Sequence, residues 1–458
     1  MYPQLVDGDL IAPLPWQPDG DSRAEVLARI LRRSYGLSRQ RWHAPGGMDD
    51  RLQGDDRLGL GYLPGHARRA VPSGGARYPC NVYAEVDCAD GLADGCYLYL
   101  PGHHGLLRRP TAVRHPFRLH LAAVLDRNII KYGDFGYRLH CLDTGVLIGQ
   151  VVAAAEVEGL RPFVRYCFDD RQVAAALGCR PERECVYAQI DLAPATYAAP
   201  VALGGRPVPD GPPMEWDSAL PSELHRRAMA ETESLDRAVP PLTANLPQPT
   251  VWHPLPATTG PAPLPTAARR TCFGYFSGES ISVETLAALL ESAMRPYRSD
   301  LQMNAAPPRR TALICVVNWV DGLMPGVYLY TNQRHALGVL RTGDIRRQLH
   351  ATLSAPIFDS PRAAVCFFPV TDYVTSLRAW GNRWFRIQNM ETGLVVERLY
   401  LAAAGLGLDC QALCGYDPER VRALLGVEEH DASPLIEVMV GGSRAPANFY
   451  ELPLWDRC

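Results

Sequence analysis

The sequence has no charge of either sign in excess. Lysine and arginine number 46 against 49 aspartate and glutamate, a formal net charge of −3, and no long basic run appears. That argues against a phosphate-tracking nucleic-acid surface. No apolar stretch is read as long enough to cross a bilayer, so no membrane span is expected. Metal-ligand spacing is also missing. Cys410 and Cys414 have no second cysteine pair beside them, and the 12 histidines are scattered. The 13 cysteines are odd in number and irregularly spaced, which fits a reducing cytoplasm better than a disulfide framework. The segment Met1–Gly20 is acidic and contains proline, unlike a signal peptide.

What is present is apolar content for a large core. The chain has 458 residues, 47% of them hydrophobic, which favours two or three domains. One stretch organises the first half: Pro72-Ser73-Gly74-Gly75-Ala76-Arg77-Tyr78-Pro79. Two prolines bracket it, and two adjacent glycines allow backbone to lie close against a ligand. Arg68 and Arg69 precede it. The β-rich run Val82–Val86 follows, so it reads as a rigid loop feeding a strand. By composition alone an ordinary tight turn is the better reading, and what favours a binding loop is its relation to the rest of the chain.

Further elements follow from caps and periodicity. Asp21 and Ser22 cap a helix with Val26, Leu27, Ile30 and Leu31 on one face, ending at Gly36. Trp42 to Arg68 reads as a loop. A helix is expected from Thr144 to Val157, another from Asp169 to Leu177, and a strand over Val186–Leu192. Fifteen of the 40 prolines lie between Pro200 and Pro265. That stretch reads as an extended linker, with one helix over Glu223–Ala238. In the second half Ser282 caps a helix carrying Leu286, Leu289 and Leu290.

The halves repeat each other. Asp321–Tyr330 repeats Asp90–Tyr99. Trp380-Gly381 echoes Tyr132-Gly133, Thr392-Gly393 echoes Thr144-Gly145, and Asp417–Gly426 echoes Asp169–Gly178. These last three matches share one offset of 248 residues. The expected organisation is α+β: residues 1–198 as one unit, 199–267 as linker and 268–458 as a second copy. A fused pair implies an intramolecular pseudo-dimer.

The ordered motifs resemble the FMN-dependent nitroreductase superfamily and, within it, the SagB-type azoline dehydrogenases of peptide natural-product pathways. The residues that carry the resemblance are Pro72–Pro79, Asp90–Tyr99, Lys131-Tyr132-Gly133-Asp134 with Tyr137-Arg138, Arg269-Arg270-Thr271, Cys414-Gly415-Tyr416-Asp417 and Gly441-Gly442-Ser443-Arg444. The resemblance implies two fused nitroreductase-like units, each a central antiparallel sheet flanked by helices. FMN is the implied cofactor, held at their interface. Oxidation of peptide thiazolines or oxazolines to azoles is the implied activity, with dioxygen as electron acceptor. A heterocyclised precursor peptide is the implied substrate, and a cyclodehydratase complex an implied partner.

The same resemblance assigns roles. Pro72, Ser73, Gly74 and Gly75 would line the flavin ring, and Cys414 and Gly415 would offer amides near its reactive nitrogen. Arg269, Arg270, Thr271, Gly442, Ser443 and Arg444 would grip the phosphate, arginine by charge-assisted hydrogen bonds. Lys131 and Tyr132 would be catalytic. Free lysine and tyrosine titrate near ~10, so burial beside Ile129 and Ile130 is expected to lower the lysine. The second half reads Ala379-Trp380 at the Lys-Tyr position and Met303-Asn304-Ala305-Ala306 at the loop position. The first half reads Tyr166-Cys167 for Cys414-Gly415 and Ala193-Pro194-Ala195-Thr196 for Gly441–Arg444. One composite site therefore keeps its parts and its twin has lost them, so one FMN per chain is expected. Two alternatives stay open: a nicotinamide-driven reductase of nitro, quinone or enone substrates, and a non-catalytic scaffold of a peptide-modifying complex.

Overall fold

The structure is a computed structural model that describes residues 11–16, 19–43, 66–87, 92–109, 115–192, 219–230, 242–258, 269–302, 311–355, 357–444 and 449–454. The chain builds one sheet-and-helix unit twice. In chain order the first unit has β1 (Ile11–Pro13), α1 (Arg23–Tyr35), β2 (Leu37–His43), β3 (His66–Arg69), β4 (Cys80–Val86), β5 (Gly95–Leu100) and β6 (Gly105–Arg109). It continues through β7 (Phe117–Val124), α2 (Asp126–Tyr132), α3 (Phe135–Val157), β8 (Phe163–Arg165), α4 (Asp170–Leu177) and β9 (Glu184–Asp191). Helix α5 (Ala219–Ala230) lies in the proline-rich stretch. The second unit has β10 (Trp252–Pro254), α6 (Val283–Met294), β11 (Ala312–Val317), β12 (Gly326–Thr331), β13 (Ala336–Thr342), α7 (Arg346–His350) and β14 (Val365–Thr371). It ends with α8 (Tyr373–Trp380), α9 (Arg383–Gly405), β15 (Asp409–Leu413), α10 (Pro418–Leu425), β16 (Ser433–Pro434), β17 (Glu437–Gly441) and β18 (Phe449–Pro453).

The sheet orders are the same: β1-β6-β5-β4-β7-β9-β8 in the first, β10-β13-β12-β11-β14-β17-β15 in the second. Every ladder between these neighbours is antiparallel. Local chemistry repeats with the topology. Asp169 accepts from the amides of Arg171 and Gln172, and Asp417 from those of Glu419 and Arg420. Each of these helices stops at a left-handed glycine, Gly178 or Gly426. Such caps each contribute about 1 kcal/mol and fix where the helix begins and ends.

The units meet through α3 and α9, which cross at the glycines of the two Thr-Gly pairs. A Cβ on Gly145 would lie 2.0 Å from the Met390 carbonyl oxygen, and one on Gly393 2.1 Å from that of Leu142. No side chain fits there, so backbone packs on backbone. The core runs without a break across this contact, from Leu27 and Leu147 to Leu394 and Leu399.

Several expectations change. Helix α3 begins at Phe135, not Thr144. Gly136 lowers its local propensity, but tertiary packing takes the space a side chain would need: a Cβ there would meet the Ile129 amide at 2.8 Å. This 23-residue helix is long and apolar enough to cross a membrane, contrary to the sequence reading, yet 83% of that window is buried inside the protein. Both ends of the Trp42–Arg68 stretch are strand, in a three-stranded sheet of order β18-β2-β3. It joins the C-terminal strand to the first unit, Tyr450 opposite Trp42. Within the proline-rich stretch, β10 is an edge strand of the second sheet, so the linker is not wholly irregular. Helix α5 starts four residues before Glu223, and residues 231–238 lie outside the described residues, as do the Met303–Ala306 and Ala193–Thr196 segments. Eleven described cysteines are free thiols.

Candidate functional site

The loop between Val71 and Cys80 is short and strained. Gly75 sits at φ +57°, and two residues with a Cβ, Ala76 and Tyr78, are also left-handed, at 54° and 48°. A left-handed non-glycine costs roughly 1–2 kcal/mol, and such strain gathers where function over-determines the backbone. Asp143 of α3 offsets it. Its carboxylate accepts from the Ser73 hydroxyl at 2.9 Å and from the Gly74 amide at 3.0 Å. Ser73 Oγ in turn accepts from the Tyr78 amide at 2.8 Å. Hydrogen bonds to a charged acceptor stabilise by about 1.5–3 kcal/mol each, enough to hold the loop.

Lys131 and Tyr132 end α2 and turn toward this loop. A Cβ placed on Gly75 would lie 2.2 Å from Tyr132 Oη and 3.0 Å from Lys131 Nζ. Both polar heads therefore converge on a residue that must be glycine. Lys131 Nζ also lies 5.3 Å from the Tyr132 ring centroid. The Tyr132 phenol is pushed up to about 12, chiefly by burial and then by the nearby Asp143 and Cys414, with Arg77 opposing. It is a proton-bearing hydroxyl at neutral pH. Lys131 departs from expectation. The helical period turns Ile129 inward but leaves Ile130 59% exposed and Lys131 exposed beside it. The lysine expected among apolar neighbours therefore faces water.

The second unit reaches the same place. Cys414 is half-buried, and desolvation pushes its thiol up to about 11, with Arg138 opposing and Asp143 adding to the rise. Cys414 thus sits within electrostatic reach of both Tyr132 and Asp143 of the first unit. No acceptor for the amides of Cys414 and Gly415 is found among the described residues. Gly415 is open enough that an added Cβ would touch nothing within 4 Å.

The arginine side lies at the other end of β15. Arg269 is buried, and its Nε donates to the Ala70 carbonyl at 2.5 Å, just before the Pro72 loop. Its Nη1 is a buried donor with no partner among the described residues. Arg270 pairs with Asp409 at 2.8 Å, and Ser443 Oγ donates to the same carboxylate. Thr271 Oγ1 donates to Tyr400 Oη at 3.3 Å. Gly442 accepts from the Ser277 amide at 2.8 Å, and exposed Arg444 donates its amide to Tyr275. Strand β15 joins the two ends. Asp409 to Cys414 is five residues, about 16 Å of extended chain.

The twin position is filled by protein. Trp380 stands where Tyr132 does and Trp384 where Gly136 does, their rings 4.4 Å apart and buried. The amides of Tyr166 and Cys167, counterparts of Cys414 and Gly415, both donate to the Asp300 carboxylate at 2.9 Å. Arg383 and Arg386 pair with buried Asp170, and Arg386 also bonds His225 of α5. An internal anion and an internal helix thus lie at the twin position.

Sequence reasoning missed Asp143, which lies 69 residues from Gly74 and carries no motif. It missed Arg39 and Arg41 of β2. Arg39 donates to the Arg269 carbonyl at 2.6 Å, and Arg41 lies 4.6 Å from the Phe273 ring centroid. No local pattern marks them, because the contacts cross more than 200 residues.

With this geometry in view, residues 266–442 match the Nitroreductase family. The nitroreductase fold extends further. A protein of Anabaena variabilis that carries the nitroreductase name matches with a TM-score of 0.71, 23% identity, 96% of this chain and 93% of its own. A Methanocaldococcus jannaschii protein whose name assigns it to the nitroreductases is 28% identical over 122 residues, 27% of this chain. That alignment spans 60% of the curated relative's length. The Escherichia coli microcin synthetase McbBCD complex with truncated pro-MccB17 bound aligns at 21% identity over 37% of this chain and 68% of that one. Its TM-score of 0.32 is too low to inform fold or function.

Proposed function

We propose that the chain binds one FMN between its nitroreductase-like units and oxidises peptide thiazolines or oxazolines to azoles. The observation that carries this is the convergence of Lys131 Nζ and Tyr132 Oη on Gly75, with Cys414 of the other unit beside them. Two features fit an anionic, flat cofactor. Arg269 Nη1 is a buried donor awaiting an acceptor, and the Gly74-Gly75 backbone presents no side chain. Arg269, Arg270, Thr271, Gly442, Ser443 and Arg444 would hold the phosphate end. Pro72, Ser73, Gly74, Gly75, Cys414 and Gly415 would hold the ring end. Arg270 would have to share itself between Asp409 and the phosphate. Held by these residues, FMN would supply the hydride acceptor, with dioxygen as the oxidant that restores it.

The remaining chemistry falls to the side chains. Aromatising an azoline also removes a proton from the carbon next to the amide carbonyl. Tyr132 keeps its own proton at neutral pH, so it orients by donating a hydrogen bond, and Lys131 is the base. A substrate peptide lying over exposed Lys131 would withdraw it from water and lower its pKa. The substrate must come from a cyclodehydration, so a cyclodehydratase is the partner this reading implies. The exposure of Lys131 also favours one rival, a nicotinamide-fed reductase that needs no base. The test is loss of two hydrogens from a thiazoline peptide under air, without nicotinamide. Lys131→Ala and Tyr132→Phe should keep fold and FMN yet lose this activity by roughly 10²-fold or more. Wild-type rates in both variants would leave the pair structural and the reductase favoured.

A further inference from the structure

We infer that Asp143 is a positioning residue of this site, holding Ser73 and Gly74 so that Gly75 stays seated against Lys131 and Tyr132. The inference deepens the azoline-oxidation reading and rests on it for its kinetic arm.

The geometry is specific. Asp143 is buried, and three donors converge on its two oxygens: Ser73 Oγ, the Gly74 amide and Asn128 Nδ2, the last at 3.4 Å. Two of the three belong to the strained loop and the third to α2, the helix that carries Lys131 and Tyr132. One carboxylate thus ties together both elements that meet at Gly75. No ion pair to arginine, lysine or histidine is found for it among the described residues, where only Gly74, Ser73 and Asn128 bond it. A buried unpaired charge is a poor way to stabilise a fold, because desolvation opposes it. Its counterpart at the 248 offset, Glu391, accepts instead from Tyr297 Oη at 3.0 Å. That position faces the filled twin site, so the fold does not demand a carboxylate gripping a Ser-Gly-Gly loop.

Asp143 is also fixed in place. It lies two residues before Gly145, where α3 and α9 pack backbone on backbone, so it has little room to follow the loop if the loop drifts. The titratable groups around it are Tyr35 of α1, Cys80 of β4, Tyr132 of α2 and Cys414 after β15. Its negative charge opposes ionisation of each, which helps keep Tyr132 a hydrogen-bond donor. Burial raises the Asp143 carboxyl to about 6, against which the loop donors pull down. As pH falls through about 6 the carboxylate gains a proton and its charge-assisted hold weakens.

The experiment compares wild type, Asp143→Asn, Ser73→Ala and the double variant as full-length holoprotein. Hydrogen exchange of residues 72–79 is read by mass spectrometry, together with flavin content, and thiazoline-peptide oxidation is followed from pH 5 to pH 9. Asp143→Asn should retain FMN, raise exchange of the loop about tenfold or more and lower kcat by about 10–100-fold with KM changed little. The wild-type fall in rate below about pH 6 should vanish in it. The double variant should be no worse than Asp143→Asn alone, since both remove one contact network. Unchanged loop exchange and kcat in Asp143→Asn, or strictly additive variants, would overturn the inference. Should Asp143→Asn fail to fold, Ser73→Ala decides, because it removes one of the two loop bonds from an accessible side chain. A wild type that does not oxidise the peptide would sink the azoline reading, while loop exchange would still decide the role of Asp143.

Discussion

Replacing Gly75 with alanine tests how closely the site is built. The added methyl would lie 2.2 Å from Tyr132 Oη and 3.0 Å from Lys131 Nζ. Restoring an ordinary contact requires the Tyr132 hydroxyl to retreat by roughly 1.2 Å, and misplacement of about 1 Å can cost about 10²-fold in rate. The second effect is backbone strain. At φ +57° an alanine costs roughly 1–2 kcal/mol, which for a chain of this size lowers Tm by about 1–4 °C. Gly159 separates the two effects. It is left-handed at φ +73°, and a Cβ there would touch nothing within 4 Å. Gly159→Ala should therefore show a similar drop in Tm with full activity. Gly75→Ala should show that drop, retain folded protein and lose thiazoline oxidation by about 10²-fold. The assay is calorimetry on both variants beside peptide oxidation under air. Wild-type turnover in Gly75→Ala would refute the claim that Lys131 and Tyr132 act from their positions against this glycine.

Arg269→Ala and Arg444→Ala should each weaken FMN retention by about tenfold or more, since a charged hydrogen bond stabilises by about 1.5–3 kcal/mol. Arg33, paired with Glu158 at 2.6 Å on the first-unit helix, should be replaceable without flavin loss, and dialysis followed by flavin fluorescence distinguishes the cases. Released FMN should approach one per chain, because the Asp300 carboxylate and two tryptophans fill the twin position. A ratio near two would mean that the twin site opens.

Much of the architecture could be read along the chain because the repeat is written in caps and glycines. Asp169 and Asp417, Gly178 and Gly426, and Gly133 and Gly381 act on backbone groups within a few residues of themselves. Such short-range chemistry survives in sequence as a fixed offset of 248 residues. The Pro72–Pro79 loop was visible for the same reason, since proline and glycine state their backbone demands locally. What the loop touches was not visible. Asp143 reads as one acidic residue in an apolar helix until folding brings it to Ser73 and Gly74. Strand β10 looks like part of a proline-rich linker until β13 offers it a ladder. Helix α3 reads as starting at Thr144 until Ile129, packed into the space Gly136 leaves, lets it run from Phe135. Lys131 looked buried by its neighbours in sequence, but neighbours on a helix point in different directions, and its period sets Lys131 toward water. Local backbone preference determined the elements and their duplication. Contacts between residues tens to hundreds of positions apart decided which groups meet at each of the twin positions.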